Sequence, residues 1–225
     1  MDGRWKEIDV RTWERRATYE GFRLSSFPFL VIGLDIALGD SVEFWRENAI
    51  SPYIACIYVA CRAANDIAAF RQRIRGDKLV EHERVHADYT VPSGAESFTV
   101  RQVEFDVDFV RFQQRARAPE SGKFVSPADP AESDHWVFLS CLPWLSFSHV
   151  VQPMKSRDDS VPRLAWGKFS LRNGAWQMPI SIQAHHAIVD GFHVARLVEQ
   201  MVAYFRDPAA TFAASTLATR GSGEE

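Results

Sequence analysis

Gln183-Ala184-His185-His186-Ala187-Ile188-Val189-Asp190-Gly191-Phe192-His193 decides how the rest of this chain is read. Ahead of it, Met178-Pro179-Ile180-Ser181-Ile182-Gln183-Ala184 alternates, with apolar even positions and polar odd ones apart from Pro179. Period two is the signature of a half-buried strand. Beyond it, Val194, Leu197, Val198, Met201, Val202 and Phe205 recur at helical spacing. The two histidines therefore occupy a strand-to-helix connection. With the strand carried through, His186 shares the parity of Ile180, Ile182 and Ala184 and points toward apolar surroundings. An imidazole kept neutral by burial is a candidate general base. Asp190 either orients the histidine or locks the turn by pairing with a cation elsewhere. The same pattern also suits a satisfied polar corner with no chemistry.

Working outward, the chain has 225 residues, 46% of them hydrophobic and 24% charged, which is ordinary globular composition. One core is expected at this length: a single domain over 1–206, followed by a flexible tail over 207–225. A net charge of -3 gives no reason to expect nucleic acid or an anionic membrane as partner. No apolar run approaches the roughly 18 residues of a membrane span. Met-Asp-Gly-Arg-Trp-Lys-Glu at the start lacks a signal-peptide core. Cys56, Cys61 and Cys141 lack metal-type spacing and read as reduced thiols of a cytoplasmic protein, and no metal site is expected.

Along the chain, Asp9 to Ala17 reads as a helix start with Thr12 as N-cap. A loop follows, feeding a strand over Leu30–Ile36. Asp40-Ser41-Val42-Glu43 has the form of a capping box. Ser51-Pro52 opens a helix with Ile54, Ile57, Cys61, Ala64 and Ala68 on a wide buried face. Arg71, Arg73 and Arg75 read as a solvated helix end in preference to a phosphate patch. Strands are expected over 79–83, 85–91, 98–103 and 136–142, and Asp106 or Asp108 caps a helix bearing Phe109, Phe112 and Ala116. Residues 119–133 have loop composition. Asn173-Gly174 between two apolar runs is a hairpin signal. Helices and strands mix without strict alternation, which indicates an α+β two-layer sandwich of a mixed sheet packed with helices.

The motif stretch resembles the chloramphenicol acetyltransferase family, whose signature His-His-x-x-x-Asp-Gly-Phe-His is matched by His185, His186, Asp190, Gly191, Phe192 and His193. Asp9-Val10 with Trp13-x-Arg15-Arg16 is similar to the family's N-terminal segment. Pro143-Trp144-Leu145-Ser146-Phe147 resembles its Pro-Trp-Val-Ser-Phe stretch, and Gly167-Lys168 its Gly-Lys. Order and spacing hold from about residue 6 to 206. The heptad alone is less specific, since dihydrolipoyl acyltransferases and peptide-synthetase condensation domains carry it too.

The resemblance implies a CoA-dependent acyltransferase fold, assembled as a homotrimer with active sites at the subunit boundaries. His186 would be the general base that deprotonates a small-molecule acceptor for attack on acetyl-CoA, a co-substrate and not a bound cofactor. Asp190 would pair with Arg15 as a brace and not as a proton relay. Lys168 and Phe169 would meet CoA, and Phe22, Phe98, Trp136 and Phe138 would supply apolar bulk toward the acceptor. Departures concern the oxyanion. The family's serine falls at His149, with Ser148 one residue earlier, so either could be the donor. The family's threonine before Gly-Lys is Ala165 here, and the segment between Phe22 and Leu34 is about two residues shorter. A related biosynthetic enzyme with another donor, condensing or cyclising its substrate, is the alternative, and a non-catalytic homologue a third reading.

Overall fold

A computed structural model describes residues 4–118 and 134–213. The strands are β1 (Trp5–Ile8), β2 (Phe29–Ala37), β3 (Gln72–Arg75), β4 (Lys78–His82), β5 (His86–Pro92), β6 (Phe98–Val103), β7 (Trp136–Leu142), β8 (Arg163–Gly167), β9 (Ser170–Arg172) and β10 (Ala175–His185). The helices are α1 (Arg16–Arg23), α2 (Ser41–Glu47), α3 (Pro52–Asn65), α4 (Ala68–Arg71), α5 (Phe109–Arg117), α6 (Gly191–Arg206) and α7 (Pro208–Phe212). The large sheet runs β2-β10-β8-β7-β5-β6, with β9 paired to β10, and a small sheet runs β1-β4-β3. Pairings β10–β8 and β5–β6 are antiparallel, β8–β7 and β7–β5 parallel, so the sheet is mixed as expected. Among the described residues no helix is long and apolar enough to cross a membrane.

Helix α3 lies at the centre. Ser51 caps it by accepting the Ile54 N–H, and Pro52 sits in its first turn where no donor is needed. Its residues Ile54 to Cys61 are all buried, so it is enclosed on nearly every side instead of on one wide face. Helices α3 and α6 pack on one face of the large sheet, against Ile180, Ile182, Leu139 and Leu164. The Asn173-Gly174 turn forms as read: both residues have positive φ, 52° and 77°, and Arg172 pairs with Ala175.

Several expectations need correction. Thr12 does not cap a helix: its hydroxyl turns back to the Asp9 carbonyl, and α1 begins only at Arg16. The capping box at Asp40 does not form, because Glu43 is drawn away to accept the Trp176 indole N–H at 2.8 Å. The arginines 71, 73 and 75 are not a solvated helix end. Arg73 is fully buried and donates to the carbonyls of Asp134, Phe70, Gln72 and Trp136. Arg75 forks onto the Asp134 carboxylate at 2.6 and 2.7 Å, and Arg71 donates to the His82 carbonyl. Arg73 and Arg75 tie the small sheet to the start of β7, while Arg71 ties α4 to β4. The chain also stays folded beyond 206, where α7 places Phe212 against Trp45 and Phe109. Asp207 caps that helix through the Ala210 N–H. Residues 119–133, read as a loop, lie outside the described residues, as does the tail from 214.

Candidate active site

β10 ends at His185, one residue before the expected base, and the connection to α6 is built from its own polar groups. The His186 N–H donates to Pro28 O at 2.7 Å, and Val189 N–H returns to His185 O at 2.9 Å. His185 is the locked member of the pair. Its Nδ1 accepts the Ala187 N–H, so its Nε2 carries the hydrogen, which it donates to Arg157 O at 3.0 Å. Burial pushes its pKa down to about 4. His186 is half-buried and arranged differently. Its Nδ1 lies 3.0 Å from Val189 O. A carbonyl oxygen only accepts, so Nδ1 holds the hydrogen, and in the neutral ring Nε2 then keeps the lone pair. The Phe22 ring lies against the imidazole, centroids 3.9 Å apart and planes 36° from parallel. Because the strand stops first, strand parity does not set where His186 points; the turn does.

Asp190 is the N-cap of α6, accepting the Phe192 N–H at 3.0 Å, while its own N–H donates to His193 Nδ1 at 3.1 Å. Its second oxygen meets Arg15 Nη1 at 2.5 Å. Burial works to raise its pKa, and the bond and charge of Arg15, with His193, outweigh that and leave it lowered. Both carboxylate oxygens are engaged away from His186, one by the Phe192 N–H and the other by Arg15. Sequence distance conceals this pair, 175 residues apart. Arg15 Nε and Nη2 are buried without a partner among the described residues.

The oxyanion candidates sit elsewhere on the sheet. Ser148 Oγ and His149 Nδ1 are 3.0 Å apart. The Ser148 carbonyl lies so close over Gly33 that a Cβ there would meet its oxygen at 1.6 Å. Ser181 Oγ bonds both the N–H and the carbonyl of Val150, each at 3.0 Å. Gln183 does the same for Gln152, at 2.7 and 3.1 Å. The polar odd positions 181 and 183, on a strand read as half-buried, are thus buried, and their side chains replace a backbone ladder in holding this loop. Ala165 pairs across from Ser181, so a small residue fills the position beneath the loop.

Of the four expected pocket aromatics, only Phe22 contacts His186. Phe98 is 66% exposed on β6. Trp136 packs on His135 and His86, with centroids 4.6 and 5.6 Å away. Phe138 lies under the Arg163 guanidinium at 5.0 Å. Lys168 is exposed, its N–H held by Leu145 O at 2.7 Å. Phe169 turns toward Trp45, 6.3 Å between centroids. Sequence reading missed the Val189 carbonyl that holds the His186 Nδ1 hydrogen, and Asp88, a buried carboxyl on β5; neither has a local signature.

The site thus joins a histidine held at one ring nitrogen to an ion pair between distant residues, at the end of β10 in a mixed α+β sandwich. The sequence model described as chloramphenicol acetyltransferase matches residues 3–202. The chain belongs to the chloramphenicol acetyltransferase family and is an acyltransferase of that type. It is 30% identical over 207 residues to the chloramphenicol acetyltransferase of Bacillus pumilus, covering 88% of this chain and 91% of the relative. A solved chloramphenicol acetyltransferase superposes with TM-score 0.81 at 26% identity, covering 90% of this chain and all of that one. The dihydrolipoamide acetyltransferase of Azotobacter vinelandii shares the fold alone, with TM-score 0.60, 16% identity and 88% of each chain covered.

Proposed function

We propose that the chain transfers an acetyl group from acetyl-CoA to a hydroxyl or amine of a small molecule, with His186 Nε2 as general base. The Val189 carbonyl carries this reading: by occupying Nδ1–H it leaves the other nitrogen ready to take the acceptor's proton. That proton moves to Nε2 as the acceptor oxygen or nitrogen attacks the thioester carbon. Collapse of the tetrahedral intermediate then expels CoA thiolate, which takes the proton. Ser148, its hydroxyl aligned by His149, stabilises the oxyanion. Arg15 and Asp190 hold the turn that presents His186, and Lys168 and Phe169 face CoA.

The working unit is a homotrimer with sites at the subunit boundaries. Ser148 sits level with Gly33 and Ser181, roughly 16 Å along β10 from His186, so one chain does not bring base and donor together. A second copy could. Trp144, Leu145 and Val151, on the loop carrying Ser148, are 76%, 53% and 57% exposed, apolar surface that assembly would cover. The free thiols of Cys56, Cys61 and Cys141 suit a reducing cytoplasm.

The test is thiol release from acetyl-CoA with chloramphenicol and a panel of amino alcohols and phenols, beside light scattering. Release that requires an acceptor and vanishes in His186→Ala is expected, from a particle of three chains. Turnover undiminished in a folded His186→Ala protein, or an active monomer, overturns the reading.

A further inference from the structure

The face of the large sheet opposite α3 and α6 carries one continuous row of paired residues: Gln102, Asp88, Phe138, Arg163 and Gln183. Directly paired residues share a face. Trp136 and Phe98 lie on this face by the same parity, as does the Ser148 loop over Gly33 and Ser181. Asp88 therefore shares its face with three of the four aromatics expected to line the acceptor pocket: Phe138 is paired directly with it, Trp136 is one diagonal position away, and Phe98 stands at the far end of the hairpin opposite Pro92. It is only 5% exposed. Gln102 Nε2 donates to its Oδ2 at 2.9 Å. Its Oδ1 has no partner among the described residues and is not sealed from solvent.

No cation is paired with this carboxyl among the described residues. Arg163, the nearest candidate along the row, is spent on Asp159 at 2.7 Å and stacks on Phe138, whose ring lies between it and Asp88. Lys155 acts on Asp88 from a distance without an ion pair. Desolvation dominates its titration and lifts its pKa to about 6, the behaviour of a carboxylate missing a counter-charge. The Gln102 bond asks only for an acceptor at this position, which a neutral amide would also supply, so it does not account for a charge here.

We propose that Asp88 determines acceptor specificity, its free Oδ1 receiving the ammonium group of an amino-alcohol acceptor whose hydroxyl takes the acyl group. This rests on the acyl-transfer reading above. The carboxylate selects positively: a cationic acceptor supplies the missing partner. It also selects negatively, since a neutral apolar acceptor leaves the charge buried and unpaired.

Isothermal titration with two probes tests this without turnover: chloramphenicol, and its amine base, the same nitrophenyl diol with an ammonium in place of the dichloroacetyl amide. Wild-type protein is expected to bind the amine more tightly than the amide. In Asp88→Asn, which keeps the shape and the Gln102 contact, that preference is expected to shrink about tenfold or more. An amine that binds no better than the amide to wild type, or a preference unchanged in a folded Asp88→Asn protein, overturns the proposal. Thiol release measured alongside separates the two readings. Turnover with an unchanged preference removes Asp88 alone, whereas an Asp88-dependent preference without turnover removes acyl transfer alone.

Discussion

Replacing Asp88 by asparagine is expected to stabilise the protein, and to do so increasingly as pH rises. Its carboxyl is lifted from an ordinary 3.8 to about 6, mainly by desolvation. A group that holds its proton more tightly when folded favours folding only while protonated. That favour is complete below the unfolded value near 3.8 and is lost as pH climbs through the folded value near 6. At ~1.4 kcal/mol per tenfold, the ionised form at pH 8 costs about 3 kcal/mol. At pH 5 the cost is roughly half of that. Asparagine stays neutral and still offers Gln102 an acceptor, so its advantage should grow by roughly 1–2 kcal/mol between pH 5 and pH 8. Urea unfolding of both proteins at one subunit concentration measures it. By melting, the gain at pH 8 is on the order of 6 to 12 °C for a domain of this size. A stability difference that is flat with pH, or an asparagine protein less stable at pH 8, would refute the reasoning that this carboxylate is buried without a counter-charge.

The other predictions concern the catalytic assembly. His186→Ala should abolish acceptor-dependent thiol release while leaving the circular dichroism spectrum and particle size unchanged. Asp190→Asn strands a guanidinium already lacking two partners; the pair is partly exposed, so a loss of about 1–3 kcal/mol is expected, below the value for a fully buried pair. Activity should fall with it, and an unchanged urea midpoint would remove the brace. Ser148→Ala should lower kcat by ~10²–10³ with KM for acetyl-CoA little changed, and His149→Ala by less, if the hydroxyl is the donor; the reverse ranking would transfer the role to His149. Gly33→Ala forces the Ser148 carbonyl away and should cost ~4 kcal/mol or more, read as early proteolysis in the 148–152 loop.

The sequence made local features legible and left the long-range ones hidden. The strand before the histidines, the Ser51-Pro52 helix start, the Asn173-Gly174 turn and the Asp108 cap each depend on neighbours within a few residues, and each formed. The errors arose where a distant partner outbid a local one. Glu43 left its box for Trp176, and Arg73 left solvent for four carbonyls. Ser181 and Gln183 show the limit of period-two reading. Alternation correctly separated two faces but could not say that the polar one would be covered by a loop whose peptide groups those side chains satisfy. For the site, the motif located His186 and Asp190. The Arg15–Asp190 contact was legible only through the family resemblance, while the tautomer and the buried carboxyl on β5 depend on chain crossings that no spacing encodes.

Strand β10 has two employments at once. Its end launches the turn bearing His186, and its outward side chains at 181 and 183 fasten the loop bearing Ser148. A single-residue slip would turn both outward side chains into the core and move the histidine along with them. Selection for a new acceptor is therefore poorly served by changes in β10, where any gain in one function disturbs the other. The β5–β6 hairpin is under no such double obligation: Asp88, Thr90 and Gln102 make none of the hydrogen bonds that hold the His186 turn or the Ser148 loop. Laboratory libraries aimed at substrate range would do best to leave the strand alone and diversify the hairpin.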